Sequence, residues 1–122
     1  MPDCLCTAEE ARNSDQWKES GWVTRNITLP RYHPGAHFEF RTKNTYSSGP
    51  DTFHGQQCTY DEQGNLITGG RGAGTPDFVS LEHSFRGHQR YDVYPANYLD
   101  WTVYNTYWPP NQGTDDCSSN IV

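Results

Sequence analysis

The chain has 122 residues, enough for one domain with a single modest core. Its net charge is −6 and its nine basic residues are scattered from Arg12 to Arg90, which argues against nucleic acid or an anionic membrane surface, since either requires a basic stripe. Only 33% of residues are apolar, a level that would signal disorder if the 14% of Trp, Tyr and Phe did not supply side chains able to build a thin core with a polar rim.

The first element predicted is a helix. Thr7 is placed as N-cap with Glu10 three residues on, the capping-box pattern, and Glu9 and Glu10 suit the positive end of a helix dipole. The helix is predicted to run to about Lys18 and to stop at Ser20-Gly21. Trp22 to Leu29, loosely alternating and rich in β-branched residues before Pro30, reads as a strand. Ala36, Phe38 and Phe40 alternate with His37, Glu39 and Arg41, the period-two pattern of a half-buried strand. Asn44 to Asp51 is a polar loop. Cys58 to Tyr60 and Leu66 to Thr68 flank Asp61-Glu62-Gln63-Gly64-Asn65, a hairpin loop in which Gly64 supplies positive φ. Residues 69–74 hold four glycines and end at Thr75-Pro76-Asp77. Gln89 to Tyr94 is a further short strand closed by Pro95. Tyr98 to Trp108 carries both strand and helix spacings and is taken as a strand.

Cys4, Cys6, Cys58 and Cys117 form an even set that allows two bridges in three connectivities. Cys4-x-Cys6 lacks the spacing of zinc or thioredoxin motifs, and the set is too scattered for a compact metal site. Disulfides are therefore expected in place of four reduced thiols. A bridge between Cys4 and Cys6 is strained, so each should reach Cys58 or Cys117. No apolar run approaches the roughly 20 residues of a spanning helix. The opening Met1-Pro2-Asp3-Cys4 has no leader signature and reads as the start of an excised or mature segment of a larger precursor.

The run from Gln57 to Tyr60, followed by Leu66-Ile67-Thr68 and Gly72-Ala73-Gly74-Thr75-Pro76, resembles the AMOP domain, an extracellular module of adhesion-associated proteins. That family carries Gln-x-Cys-Cys-Tyr, then Leu-Ile-Thr, then Gly-x-Gly-Ala-Gly-Thr-Pro. Weaker echoes run in order along the chain. They are Cys4-Leu5-Cys6-Thr7, Tyr32 to Thr42, His88-x-x-x-Asp92-Val93-x-Pro95, and Tyr104-Asn105 followed by Pro109-Pro110-Asn111-x-Gly113 and Cys117. Two family cysteines are replaced here by Glu39 and Thr59, and a third, after the Asp-Val-x-Pro segment, has no counterpart between Ala96 and Trp101. The joint loss at Glu39 and Thr59 is natural if those two cysteines form one bridge in the family. The resemblance implies a divergent, less cross-linked module that is secreted and extracellular, takes part in protein–protein interaction and cell adhesion, and meets a protein or glycan at a cell surface or in matrix.

Several constellations could carry chemistry. His33 and His37 are four apart, but Pro34-Gly35 between them rules out a regular helix that would share a metal. On the predicted strand His37 and Glu39 share a face and can hydrogen-bond Arg41 or chelate a metal weakly; a catalytic or metal role there stands against the plainer reading of a polar outer sheet face. His88 and Asp92, if extended, stand about 13 Å apart, too far for a dyad. The glycine run lacks Gly-Lys-Ser/Thr and Rossmann context, so no cofactor is expected. Arg71 at its tip and the aromatic group Tyr94, Trp101, Tyr104 and Trp108 are the candidate binding residues. Asn26-Ile27-Thr28 is a glycosylation acceptor in a secreted eukaryotic protein.

The sequence thus predicts a single domain over 1–122, β-rich α+β verging on all-β. Its short antiparallel strands and one short N-terminal helix would be stabilised by disulfides. The function expected is a non-catalytic extracellular interaction module. The alternative is a small secreted hydrolase-like enzyme or toxin domain using His37, His88 and Asp92.

Overall fold

The computed structural model describes residues 2–20, 33–47, 53–70, 72–77, 86, 92, 110, 111, 113 and 117. The predicted strands 22–29 and 98–108 lie outside them.

A helix forms where the capping residues predict it. Helix α1, Ala8–Arg12, has Thr7 as N-cap in extended backbone. The Thr7 side chain accepts a hydrogen bond from the Glu10 N–H at 3.2 Å and donates to the Glu10 carboxylate at 2.9 Å. Ala8 and Ala11, the small residues on its inner side, are buried. The helix ends at Arg12 rather than near Lys18. Asn13-Ser14-Asp15 are residues whose side chains compete for backbone hydrogen bonds, and the Ser14 hydroxyl accepts one from the Gln16 N–H at 3.3 Å. The chain then turns directly into strand β1, Trp17–Glu19.

Strands β2 (Phe38–Thr42), β3 (Gly55–Tyr60) and β4 (Pro76–Asp77) follow, and the four strands make one antiparallel sheet in the order β1-β2-β3-β4. Trp17 pairs with Thr42 and Glu19 with Phe40. Phe38 pairs with Tyr60 and Phe40 with Cys58. Beyond β3 the hairpin loop closes as its residues suggest: Asp61 N–H donates to Asn65 O, Gly64 has φ +83°, and Tyr60 bridges Leu66. Among the described residues the fold is therefore β-rich with one short helix.

The period of two divides the sheet into unlike faces. One carries Trp17, Phe40, Cys58 and Tyr60, which pack with Ala8, Ala11, Leu66, Cys4 and Cys117 into the apolar core. Phe40 and Tyr60 meet edge to face at 5.6 Å, and the Tyr60 hydroxyl donates to Leu5 O at 2.7 Å. Burial, helped by the charge of Glu10, pushes the Tyr60 phenol well above its ordinary range, so it remains a donor throughout the physiological range.

Two disulfides close this core. Cys4 joins Cys58 and Cys6 joins Cys117, so the N-terminal segment is bonded both to β3 and to the end of the chain. Both bridges avoid the strained Cys4–Cys6 pairing. With sequence separations of 54 and 111, each contributes about 4 kcal/mol in the chain-entropy model. Such bonds persist in an oxidising compartment. No helix among the described residues is long and apolar enough to cross a membrane.

Candidate functional site

The other face of the sheet is where the sequence reading needs correction. Glu39 and Arg41 of β2, Gln57 and Thr59 of β3, and Asp77 of β4 share it by register. An outer face of such residues would be wet, yet Glu39, Gln57, Thr59 and Asp77 are all 5% exposed or less. The Gly72–Asp77 segment covers part of it: Thr59 donates its hydroxyl to Gly72 O at 2.5 Å. The turn from His33 covers another part, with His33 Nε2 2.9 Å from the Gln57 side-chain amide.

Arg41 sits at the centre. Its Nε donates to Glu39 at 2.7 Å and its Nη1 to Asp77 at 2.5 Å, so one guanidinium ties β2 to β4 across β3. Glu39 also accepts from the Ser20 hydroxyl at 2.9 Å. Burial opposes the charge on Glu39, but Arg41 and His33, with the hydrogen bonds from Ser20 and Arg41, outweigh it and hold the carboxyl below its ordinary range. For Arg41 burial again opposes the charge. Asp77, Glu39 and Asp92 reverse that and keep the guanidinium charged. The arrangement is a buried, hydrogen-bonded ionic network, chemically suited to fixing strands rather than to moving protons at neutral pH.

The sequence-predicted residues fall in different places. Asp92 is buried and its charge acts on Arg41, so it belongs to this network. Its backbone is helical, not extended, which corrects the strand expected over 89–94 at the one position described there. His37 precedes β2, is exposed, and packs its ring edge-on to Phe38 at 4.7 Å. It is not gathered with Asp92 into one site. The predicted Glu39–Arg41 bond is present. Arg71, His88, Tyr94, Trp101, Tyr104, Trp108 and Asn26 lie outside the described residues. All four cysteines are bridged. No cluster of three metal-ligating side chains occurs among the described residues.

The glycine run is built for close approach more than for unusual backbone. Gly70 has φ +72° with open space around it, whereas Gly72 and Gly74 do not have positive φ. A Cβ on Gly72 would meet Pro34 O at 2.5 Å, and one on Gly74 would run into the Gln57 carbonyl of β3. Asn111 seals this contact from outside. Its N–H donates to Gly74 O at 2.9 Å and its side-chain amide to Gln57 O at 2.5 Å. The run is therefore a packed cover over β3 with an exposed tip at Gly69-Gly70.

Sequence reasoning missed Asp77, Gln57 and His33 as members of the network. The period-two pairing of Glu39 with Arg41, opposite charges on one strand face, was the available signal for its centre. No protein-family model matches the chain, and no solved structure matches it.

Proposed function

We propose that this domain is a non-catalytic extracellular interaction module of the AMOP type, engaging a protein or glycan at a cell surface or in matrix through the exposed tip of the glycine loop, where Arg71 lies in sequence, and the aromatic residues Tyr94, Trp101, Tyr104 and Trp108. The observation that carries this reading is the disulfide frame, which bonds the N-terminal segment to β3 and to the chain end and suits an oxidising compartment. Support for the AMOP likeness comes from register. Glu39 and Thr59, which replace two family cysteines, are directly opposed across β2 and β3. Opposed positions are where one lost bridge would have stood.

The buried face supports a binding role over the enzymatic alternative. Asp92 is engaged with Arg41, and His37 stands exposed beside Phe38. A hydrolytic site needs its acid–base groups brought together within hydrogen-bond reach of one substrate, and His37 and Asp92 are not so gathered. The test uses the oxidised, fluorescently labelled domain on cultured cells, on immobilised matrix proteins and on a glycan array. Saturable attachment that is weakened by Arg71→Ala or Trp101→Ala and retained by His88→Ala supports the module. Turnover of an ester, peptide or glycoside substrate that His88→Ala abolishes without unfolding the chain would establish the enzyme instead.

A further inference from the structure

The two disulfides differ in depth and in what hangs on them. Cys4 and Cys58 are both 0% exposed, inside the core with Phe40 and Tyr60. Cys6 is only half-buried, although its partner Cys117 is 2% exposed. Exchange with an external thiol needs a thiolate to approach a sulfur along the bond axis, so access decides which bridge reacts and at which end. Of the four bridged residues, Cys6 is the most exposed.

Cys117 also anchors the part of the chain that holds the glycine loop. Asn111 bonds Gly74 and Gln57, and Gly113 lies against Cys117 and Leu66. Besides the Cys6–Cys117 bond, Asn111 is held over β3 by its hydrogen bonds to Gly74 and Gln57. With the Cys6–Cys117 bond open, the Cys4–Cys58 bond would still tie the N-terminal segment to β3. Both bridges border the apolar core, and Cys6–Cys117 in addition holds the chain that carries Asn111 over β3.

We propose that Cys6–Cys117 is a redox latch, opened selectively by a dithiol reductant to release Asn111 from β3 and loosen the Gly72–Asp77 cover it bonds, while Cys4–Cys58 stays closed. In the first step a reductant thiolate attacks Cys6 Sγ, forming a mixed disulfide and expelling Cys117 as thiolate. The second reductant thiolate then attacks its own sulfur in the mixed disulfide and expels Cys6. Two electrons and two protons pass to the protein, leaving Cys6 and Cys117 as thiols and the reductant as a cyclic disulfide. This inference does not depend on the adhesion reading, because its test reads bonds and amides rather than binding.

The test exposes the oxidised full chain to graded dithiothreitol, quenches by alkylation, and maps the labelled cysteines by mass spectrometry. Cys6 and Cys117 should be labelled together and about tenfold faster than Cys4 and Cys58. Hydrogen exchange on the half-reduced chain, and on Cys6→Ser/Cys117→Ser, should speed up about tenfold across Gly72–Asp77 while the Phe40 and Tyr60 amides hold their protection. The proposal is overturned if Cys4–Cys58 opens first or both bridges open together. It is equally overturned if exchange over Gly72–Asp77 is unchanged, or if β2 and β3 lose protection along with the loop.

Discussion

Replacing Arg41 by Met would remove the only cation bonded to both Glu39 and Asp77 among the described residues. The consequence can be sized from exposure. The Glu39 and Asp77 side chains are 2% and 5% exposed and that of Arg41 is 13%. A carboxylate left at such a depth cannot recover its lost hydrogen bonds from water. Removing one partner of a buried pair typically costs about 3–5 kcal/mol, and Arg41→Met should fall in that range. The Arg12–Glu19 pair provides the control. Its side chains are 47% and 28% exposed, and Arg12→Ala should cost about 1 kcal/mol or less. Urea unfolding with the disulfides intact gives both numbers. pH adds a second signature. Glu39 is held below its ordinary range in the folded wild type, so its stabilising contribution is present above the unfolded carboxylate value near about pH 4 and is lost as pH falls through the lower folded value. In Arg41→Met burial acts on Glu39 without its main counter-charge, so protonation relieves the defect. The gap between variant and wild type should narrow from pH 7 to pH 4. Adding Glu39→Gln and Asp77→Asn to Arg41→Met should recover part of the loss. A cost below about 1 kcal/mol with no pH dependence would refute the network as a structural tie.

Gly74→Ala should destabilise by about 1–3 kcal/mol, because its Cβ meets β3 backbone that cannot move aside, with the Gln57 carbonyl carbon at 2.8 Å. Gly70→Ala, strained by positive φ but in open space, should cost about 1 kcal/mol, and thermal unfolding would rank the two. Thr7→Ala should cost about 1 kcal/mol through loss of the cap, read as a lower melting temperature and faster exchange at the Glu10 amide. The Glu39→Cys/Thr59→Cys chain should form a third disulfide, seen as loss of two further hydrogens in intact mass. Glu39 O accepts from Ser20 N on β1, so the Glu39–Thr59 pair is non-hydrogen-bonded and its Cα atoms stand about 4.5 Å apart, within bridging range.

Much of the local structure was legible because it is written in neighbouring residues. The Thr7–Glu10 capping box, the Gly64 hairpin and the alternation through Phe38 and Phe40 each need only a few positions. The helix end was misplaced because Trp17 and Lys18 fit a helix locally, while the sheet offers Trp17 a place in the core and the backbone of Lys18 a pairing position opposite Arg41. The buried ionic face was only half legible. Glu39 and Arg41 are two apart and declare themselves, but Asp77 joins them from 36 residues away through a two-residue strand that no periodicity can announce. At Gly72 and Gly74 the sequence shows only a missing side chain, not the Pro34 and Gln57 carbonyls, from other parts of the chain, that require its absence.

The claim on which the account rests is the disulfide frame, and non-reducing peptide mapping tests it most directly. Tandem mass spectrometry that fragments between Cys4 and Cys6 should show Cys4 linked to Cys58 and Cys6 linked to Cys117, with an intact mass four hydrogens below that of the reduced chain. Four cysteines alkylated under denaturing, non-reducing conditions would contradict it, and a Cys4–Cys6 link would contradict it as plainly.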